Sequence, residues 1–149
     1  MMTIYVDADA CPVKEETIRV AERYQESVVM VSNGGIRPRA EPFVETVTVA
    51  AGPDEADRLI AERIGPGDIC VTGDIPLAAR CIEAGAQALR HDGTAFTEAN
   101  IGQQLAMRDL MADLRAADPF RQGSGKGFTK ADRSNFLQTL DRLVRRAKA

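Results

Sequence analysis

The first predicted strand of this chain ends abruptly in two aspartates, and this feature constrains the fold more than any other. The β-prone run at residues 3–6 is followed by Asp7 and Asp9, and Pro12 then stands where the first turn of a helix begins. In open α/β sheets, ligands bind at the carboxyl ends of the strands. Two carboxylates held there repel each other unless a cation lies between them, and Mg²⁺ or Mn²⁺ is the cation that suits oxygen ligands. The alternative interpretation is that one of them, with Asp9 the better candidate, caps the following helix.

Strand-like and helix-like segments alternate along the chain. We predict strands at residues 3–6, 28–32, 44–49, 69–72 and 87–89. Helices are predicted at residues 12–24, 54–64, 76–83 and 97–114, with a last one from residue 129. Alternation with short connections is typical of parallel βαβ units. The pattern therefore predicts one α/β domain over residues 1–149, with a three-layer, mostly parallel sheet flanked by helices and a basic helical C-terminal extension at 121–149.

Composition excludes several classes of protein. The 149 residues fit one domain, and no apolar stretch approaches the ~20 residues that span a bilayer. Since no secretory signal is visible either, we expect a cytoplasmic protein without a membrane partner. The three cysteines lack CxxC spacing, which argues against a zinc site or a disulfide framework. Cys11 is disfavoured as a nucleophile because neighbouring carboxylates raise a thiol pKa, and His91, the only histidine, is predicted to lie in a surface loop.

Charge is distributed unevenly along the chain. Residues 1–120 carry 11 Lys/Arg and 20 Asp/Glu, a net charge of −9, whereas residues 121–149 carry 8 and 2, a net charge of +6. A basic segment on an acidic body either folds back against the acids or contacts nucleic acid phosphates, and a solvated basic helix face is the third interpretation. Within it, residues 122–127 are rich in Gly and Ser and are predicted to form a flexible loop.

A stripe of large apolar side chains runs along the helix predicted at 97–114. Met107, Leu110, Met111 and Leu114 recur at helical spacing. We predict that this stripe belongs to the core rather than to a binding surface.

Further carboxylates follow another predicted strand or open a helix. Asp74 follows the strand at 69–72, and Asp54 and Asp57 open the helix after residue 52. Because the carboxyl ends of parallel strands and the starts of the next helices share one edge, we expect these acids to meet Asp7 and Asp9 there. Helix capping accounts for Asp54 and is the alternative interpretation for Asp74.

Asp57 differs from a simple capping residue. It shares a helix face with Ile60 and Ile64, so its carboxylate points inward at the top of the core. A carboxylate in that position needs a partner. It either holds a metal ion or bonds the backbone N–H at the start of its own helix.

The last predicted helix has an arginine on its apolar side. Arg133 shares a face with Phe136 and Leu140, and a guanidinium there requires an anion. The anion is either one of the clustered aspartates or a substrate phosphate, and the alternative is that Arg133 extends along the apolar surface toward solvent.

Other cations and one amide are candidates for substrate binding. Lys14 and Lys130 are predicted, with Arg133, to neutralise phosphate charge. The loop at 32–39 lies at another strand end, and its residues Asn33, Arg37 and Arg39 are predicted to line the substrate path.

Four motifs resemble the YaiI/YqxD family of uncharacterised bacterial proteins. They lie in the same order and span nearly the whole chain: VDADACPVK from residue 6, GPDEAD from 52, GDICVTGDIPLA from 67 and FTKADRSNFL from 128. That family is usually grouped with PIN-like domains, which have a parallel sheet flanked by helices and resemble metal-dependent ribonucleases. The resemblance implies that Asp7, Asp57 and Asp74 occupy the acidic positions of such a site, while Asp9 belongs to the family's own signature.

Together these interpretations predict a Mg²⁺- or Mn²⁺-dependent phosphodiesterase that acts on RNA or another nucleic acid. Asp7, Asp57 and Asp74 would hold one or two metal ions, one of which activates water, and Asp9 would ligate the metal or accept a proton. A haloacid-dehalogenase-type phosphatase also begins with a strand and Asp-x-Asp, but Cys11 stands where that pattern has Thr or Val, and its later paired acids are missing. A third hypothesis is a non-catalytic regulator that binds metal or nucleic acid. The low aromatic content of the chain, 5% with no Trp, argues against a base-stacking platform.

Overall fold

A computed structural model of the chain describes residues 2–9, 11–52, 54–117 and 127–148. The strands are β1 Thr3–Asp7, β2 Ser27–Ser32, β3 Val44–Thr48, β4 Ile69–Val71, β5 Gln87–Leu89 and β6 Ala95–Phe96. The helices are α1 Lys14–Tyr24, α2 Glu55–Arg63, α3 Ile75–Glu83, α4 Ile101–Ala117 and α5 Lys130–Lys148. None of the helices described here combines the length and the apolar character needed to cross a membrane.

The six strands form one sheet in the order β3-β2-β1-β4-β5-β6. All neighbours pair in parallel except β5 and β6, which are antiparallel. The strand order reverses direction beside β1, between β1 and β4, and ligands of open α/β sheets bind at the carboxyl ends of the strands at such a point. The predicted fold class, a mostly parallel sheet within three layers, is confirmed.

Helices cover both faces of the sheet because successive side chains of a strand point to opposite faces. Ile4 and Val6 pack with Phe136 and Leu140 in the core between the sheet and helices α1 and α5. Tyr5 lies in the second core, which is closed by residues of α2 and α3. The C-terminal helix is thus part of a helical layer and not only an extension beyond the domain.

Two expectations need correction. The strand at residues 87–89 is not the last, since a turn with Gly93 at φ +91° leads into β6, whose two residues are too few to give a sequence pattern. The stripe on α4 is not core, because Met107 and Leu110 are each 52% exposed. Helical spacing predicts that the four side chains share a face, but it does not determine whether another element packs against that face.

The start of α5 was predicted correctly. Thr129 and Asp132 bond reciprocally, each side-chain oxygen accepting from the other's backbone N–H at 3.0 Å. This is the geometry of a capping box. The flexible loop predicted at 122–127 lies, apart from Gly127, outside the described residues.

Candidate functional site

The carboxyl edge of the sheet collects the predicted acidic residues. Asp7 is the last residue of β1, Asp74 immediately precedes α3, and Asp57 lies in the first turn of α2. All three side chains are half-buried. No salt bridge reaches any of the three carboxyl groups from a residue that the structure describes.

Thr72, which the sequence pattern did not indicate, forms hydrogen bonds with both Asp7 and Asp74. The fully buried Thr72 donates its hydroxyl to Asp7 Oδ2 at 3.0 Å and accepts from the Asp74 backbone N–H at 2.9 Å. Burial raises the pKa of Asp7, the charges of Asp74 and Asp9 raise it further, and the bond from Thr72 opposes both. Only its position at the end of β4 could have indicated this role.

Asp57 is the most strongly perturbed acid of the cluster. Burial raises the pKa of Asp57 to about 7, with further contributions from the charges of Asp74 and Asp7 and from a hydrogen bond with Asp74. Asp54 stands at the N-cap position of α2, but its side chain makes no capping hydrogen bond, so that interpretation is wrong. Asp57 therefore lies where a negative charge is held at a cost and attracts either a proton or a cation.

Asp74 does cap a helix. Its Oδ1 accepts from the Leu77 backbone N–H at 3.0 Å, and Pro76 occupies the first turn of α3. The capping bond orients this carboxylate but involves only one of its oxygens. The capping bond thus holds the Asp74 carboxylate in one orientation, and its Oδ2 takes no part in that bond.

Asp9 has a different role from Asp7, the other aspartate at the end of β1. Its two oxygens accept from the Ser32 hydroxyl at 2.8 Å and from the Asn33 backbone N–H at 2.9 Å. Asn33 in turn donates its side-chain amide to the carbonyls of Ala50 and Gly52. These bonds connect the loops that follow β1, β2 and β3. The alternative that Asp9 caps α1 is wrong, because the carboxylate bonds to the loop after β2.

The predicted basic residues fall into two groups. Arg133 donates to Glu16 Oε2 at 2.6 Å and to the Pro12 carbonyl, so its anion is Glu16 and not one of the clustered aspartates. Arg39 likewise pairs with two glutamates. In contrast, Lys14, Arg37 and Lys130 form no salt bridge with any described residue. Lys14 begins α1 and Lys130 begins α5, whereas Arg37 lies exposed in the loop after β2.

The polar turn around His91 predicted an exposed side chain, but the imidazole is half-buried. His91 lies in the turn that follows β5, and a Cβ added to Gly73 would lie 3.8 Å from its Cε1. Its Nε2 is shielded from solvent without a hydrogen-bond partner among the described residues. Burial lowers the pKa of the imidazole. The pairing of β4 with β5, which sequence spacing does not predict, brings His91 to the turn that carries Asp74.

The cysteines fit the expectation drawn from their spacing. Cys11, Cys70 and Cys81 are all buried free thiols. Burial raises the pKa of Cys11, and the charge of Asp7 adds to it. A thiolate nucleophile is therefore disfavoured at this position.

The acidic edge supplies oxygen ligands but no ready-made metal centre. Within the described residues, no three His, Cys, Asp or Glu side chains are arranged so that they could hold one ion. Carboxylate oxygens are of the ligand type that Mg²⁺ or Mn²⁺ prefers, and burial, with neighbouring carboxylate charge, raises the pKa of Asp7 and Asp57. Asp7, Asp57 and Asp74 thus bring carboxylates to one edge, but as described they do not converge on a single ion position.

Comparisons with known proteins place the chain among relatives of the same length. A family profile described as uncharacterised BCR, YaiI/YqxD family, matches residues 5–146. A UPF0178 protein of Roseobacter denitrificans is 65% identical over 147 residues, covering 99% of this chain and 97% of that protein. UPF0178 proteins of Ruegeria pomeroyi and Parvibaculum lavamentivorans are 63% and 58% identical, covering 99% and 97% of this chain and 97% and 94% of their own lengths. No solved protein structure matches significantly.

Proposed function

This chain belongs to the YaiI/YqxD family, as its four motifs predicted, and we propose that it is a divalent-metal-dependent phosphodiesterase acting on RNA. The observation that carries the proposal is the group of three half-buried aspartates at the carboxyl edge of the sheet, without a counter-charge from any described residue. Structural carboxylates are normally paired when they are buried. A site that holds unpaired negative charge is suited to receive a cation.

The roles of the three acids follow from their contacts. Asp7 is oriented by Thr72 and Asp74 by the start of α3, so both present a fixed carboxylate oxygen to the same edge. Asp57, with its pKa near 7, holds or releases a proton at neutral pH. A divalent cation bound to such a set supplies a water of lowered pKa and neutralises charge on phosphodiester oxygens.

Positive charge around the site favours a polyanionic substrate. Lys14 and Lys130 lie at the starts of α1 and α5, and Arg37 lies in the loop after β2, all outside the salt bridges of the described residues. Lysine and arginine side chains in this setting neutralise backbone phosphates whatever the base sequence. Phosphodiester substrates therefore fit better than small neutral ones.

Cleavage of an end-labelled, mixed-sequence RNA in Mn²⁺ tests the proposal. Wild-type protein is expected to cut, and Asp7→Asn at matched purity is expected to lose about 100-fold or more of the rate, the scale seen when a charge-stabilising group is removed from a reacting centre. Asp109→Asn, which changes an exposed aspartate on α4, is the matched control and should cut like wild type. Equal cutting by all three preparations identifies a contaminant and contradicts the proposal.

A second candidate function is binding of metal or nucleic acid without turnover. It is favoured by the finding that the described side chains do not converge as a ready-made metal site. In that case neither wild type nor Asp7→Asn cuts, while RNA binding persists and weakens steeply with salt.

A further inference from the structure

A cleft of about 410 Å³ adjoins the aspartate cluster on the side of the sheet covered by α5. Its walls include Pro12, Gly73, His91 and Phe128, and we name it the β4–β5 cleft. Gly73 lies between Thr72, which bonds Asp7, and Asp74 itself. The cleft therefore borders the turn that carries Asp74 at the carboxyl edge of the sheet.

Flat side chains dominate the walls of the cleft. The rings of Pro12, His91 and Phe128 all line it. The Arg133 guanidinium lies 4.9 Å from the centroid of the Phe128 ring, and Arg133 does not itself line the cleft. An aromatic ring backed by an arginine is a favourable stacking surface for a nucleobase.

The polar groups of the cleft are of both signs. Arg90 lines it together with Asp92 and Asp132, and each of these carboxylates uses one oxygen in a local backbone bond. The two carboxylates disfavour a phosphate in the cleft, whereas the edge of a base carries both donors and acceptors. Arg90 Nε and His91 Nε2 are shielded from solvent and have no hydrogen-bond partner among the described residues.

The walls are held rigidly before any ligand arrives. A Cβ added to Gly93 would lie 2.6 Å from the backbone of Asn135, so the turn after β5 packs directly on α5. The capping box of Thr129 and Asp132 fixes the start of α5 beside Phe128. A preformed cleft costs less ordering entropy on binding than one that must form.

We propose that the β4–β5 cleft is a base-binding subsite, in which the nucleobase next to the phosphodiester at Asp7, Asp57 and Asp74 stacks on Phe128. This inference rests on the proposed function for its substrate, an RNA strand. It goes further by assigning a subsite for one base of that strand to residues outside the acidic cluster.

The single histidine makes the test site-specific. Because His91 is the only histidine in the chain, its imidazole proton signals in NMR report on the cleft without assignment of the rest of the protein. Nucleoside 5′-monophosphates are titrated into the full chain in EDTA to millimolar concentrations, with ribose 5-phosphate as the probe that lacks a base. The His91 signals are expected to shift with the nucleotides and not with ribose 5-phosphate.

Phe128→Leu is expected to weaken nucleotide binding by about fivefold to a hundredfold, the range for loss of one stacked base. Phe43→Leu is the matched control, since Phe43 is a half-buried phenylalanine packed on the same core but located before β3, at the opposite edge of the sheet. No shift at His91, equal binding by both leucine variants, or equal binding of ribose 5-phosphate overturns the subsite.

The two proposals fail separately. Nucleotide binding that depends on Phe128, without Mn²⁺-dependent RNA cleavage, overturns the phosphodiesterase and supports the subsite. Cleavage that depends on Asp7 but is unchanged by Phe128→Leu, without a shift at His91, overturns the subsite and supports the phosphodiesterase.

Discussion

Two regions of this molecule treat buried carboxylates in opposite ways. Between α1 and α5, Glu16 and Glu26 each have side chains only 8% exposed, and each is paired with a basic residue of α5, Arg133 at 2.6 Å and Lys148 at 2.7 Å. At the carboxyl edge of the sheet, Asp57 and its neighbours have no such partner among the described residues. The fold can thus provide counter-charges, and within the described part of the chain the edge of the sheet differs in receiving none.

This comparison also explains the basic C-terminal segment. Two of its described cations, Arg133 and Lys148, pair with Glu16 of α1 and with Glu26 just after it, and not with the clustered aspartates. Asp141 on α5 extends the same pattern, because it accepts from Arg23 at 3.0 Å and from the Tyr24 hydroxyl at 2.8 Å. Removing charge should therefore have opposite effects on stability in the two regions.

The largest effect is expected from adding a cation to the aspartate edge. Mn²⁺ at about 100 times its Kd should raise the free energy of unfolding by about 2.7 kcal/mol, because it binds only the folded state. Asp57→Asn should lose most of this gain, and the exposed Asp109→Asn should keep it. Chemical denaturation with and without Mn²⁺ measures the difference. Equal gains in all three proteins would show that the ion binds elsewhere.

Breaking a pair between α1 and α5 should destabilise the protein. Arg133→Met leaves Glu16 buried without its partner and should lower the free energy of unfolding by about 2 kcal/mol. This loss is smaller than the usual one for a broken buried pair because the Arg133 side chain is 43% exposed. Glu16→Gln added to Arg133→Met should restore most of the loss. A double-mutant cycle by urea denaturation checks this, and additive effects of the two changes would mean that the pair is not coupled.

Removing a charge from the aspartate edge should stabilise the metal-free protein. A pKa of Asp57 near 7 means that the folded state keeps a proton that the unfolded chain releases near its usual 3.8. Wild-type stability should therefore fall as pH rises from about 4 to 8, and Asp57→Asn should abolish that contribution. After allowance for solvent screening, the variant should be more stable at pH 8 by about 1 kcal/mol and equal to wild type at pH 4.

Unfolding in EDTA at several pH values measures this contribution. Thermal midpoints should separate by about 2–4 °C at pH 8 for a chain of this size. Parallel pH profiles for wild type and Asp57→Asn would contradict the raised pKa of Asp57.

The smallest effect is expected for an exposed pair, which gives the baseline for charge removal. Arg63 and Glu45 are 3.4 Å apart, with side chains 46% and 55% exposed. Arg63→Gln should change the free energy of unfolding by less than about 0.5 kcal/mol. A larger loss in the same denaturation experiment would mean that surface charge has a general effect, which would weaken the comparison of the two buried regions.

Much of the fold was predictable because periodicity and turn residues are local signals. The alternation of apolar runs with helical spacing predicted the parallel strands and the positions of the helices. The same signals failed at β6, which has only two residues, and at Met107 and Leu110, whose shared face is exposed. Spacing along a helix indicates which side chains share a face, but the packing partner comes from elsewhere in the chain.

The candidate site, like the fold, was predictable where the signal is local and not where it depends on packing between distant segments. Asp7, Asp57 and Asp74 were predicted from their positions at strand ends and helix starts, since parallel strands place those ends on one edge. The partner of Arg133 was not predictable, because Glu16 lies far from it in sequence. An aspartate of the cluster or a phosphate was expected in its place. Thr72, His91 and Phe128 were missed for the same reason.

By itself, the sequence determined the order of strands and helices, the family and the carboxylates available at the edge of the sheet, because these depend on local pattern and residue identity. Only the tertiary structure decided which carboxylates receive a counter-charge, since the basic residues of α5 reach α1 through packing between elements over 100 residues apart. It also decided that His91 and Phe128 border the turn beside Asp74, because strand pairing and the seating of α5 bring those segments together.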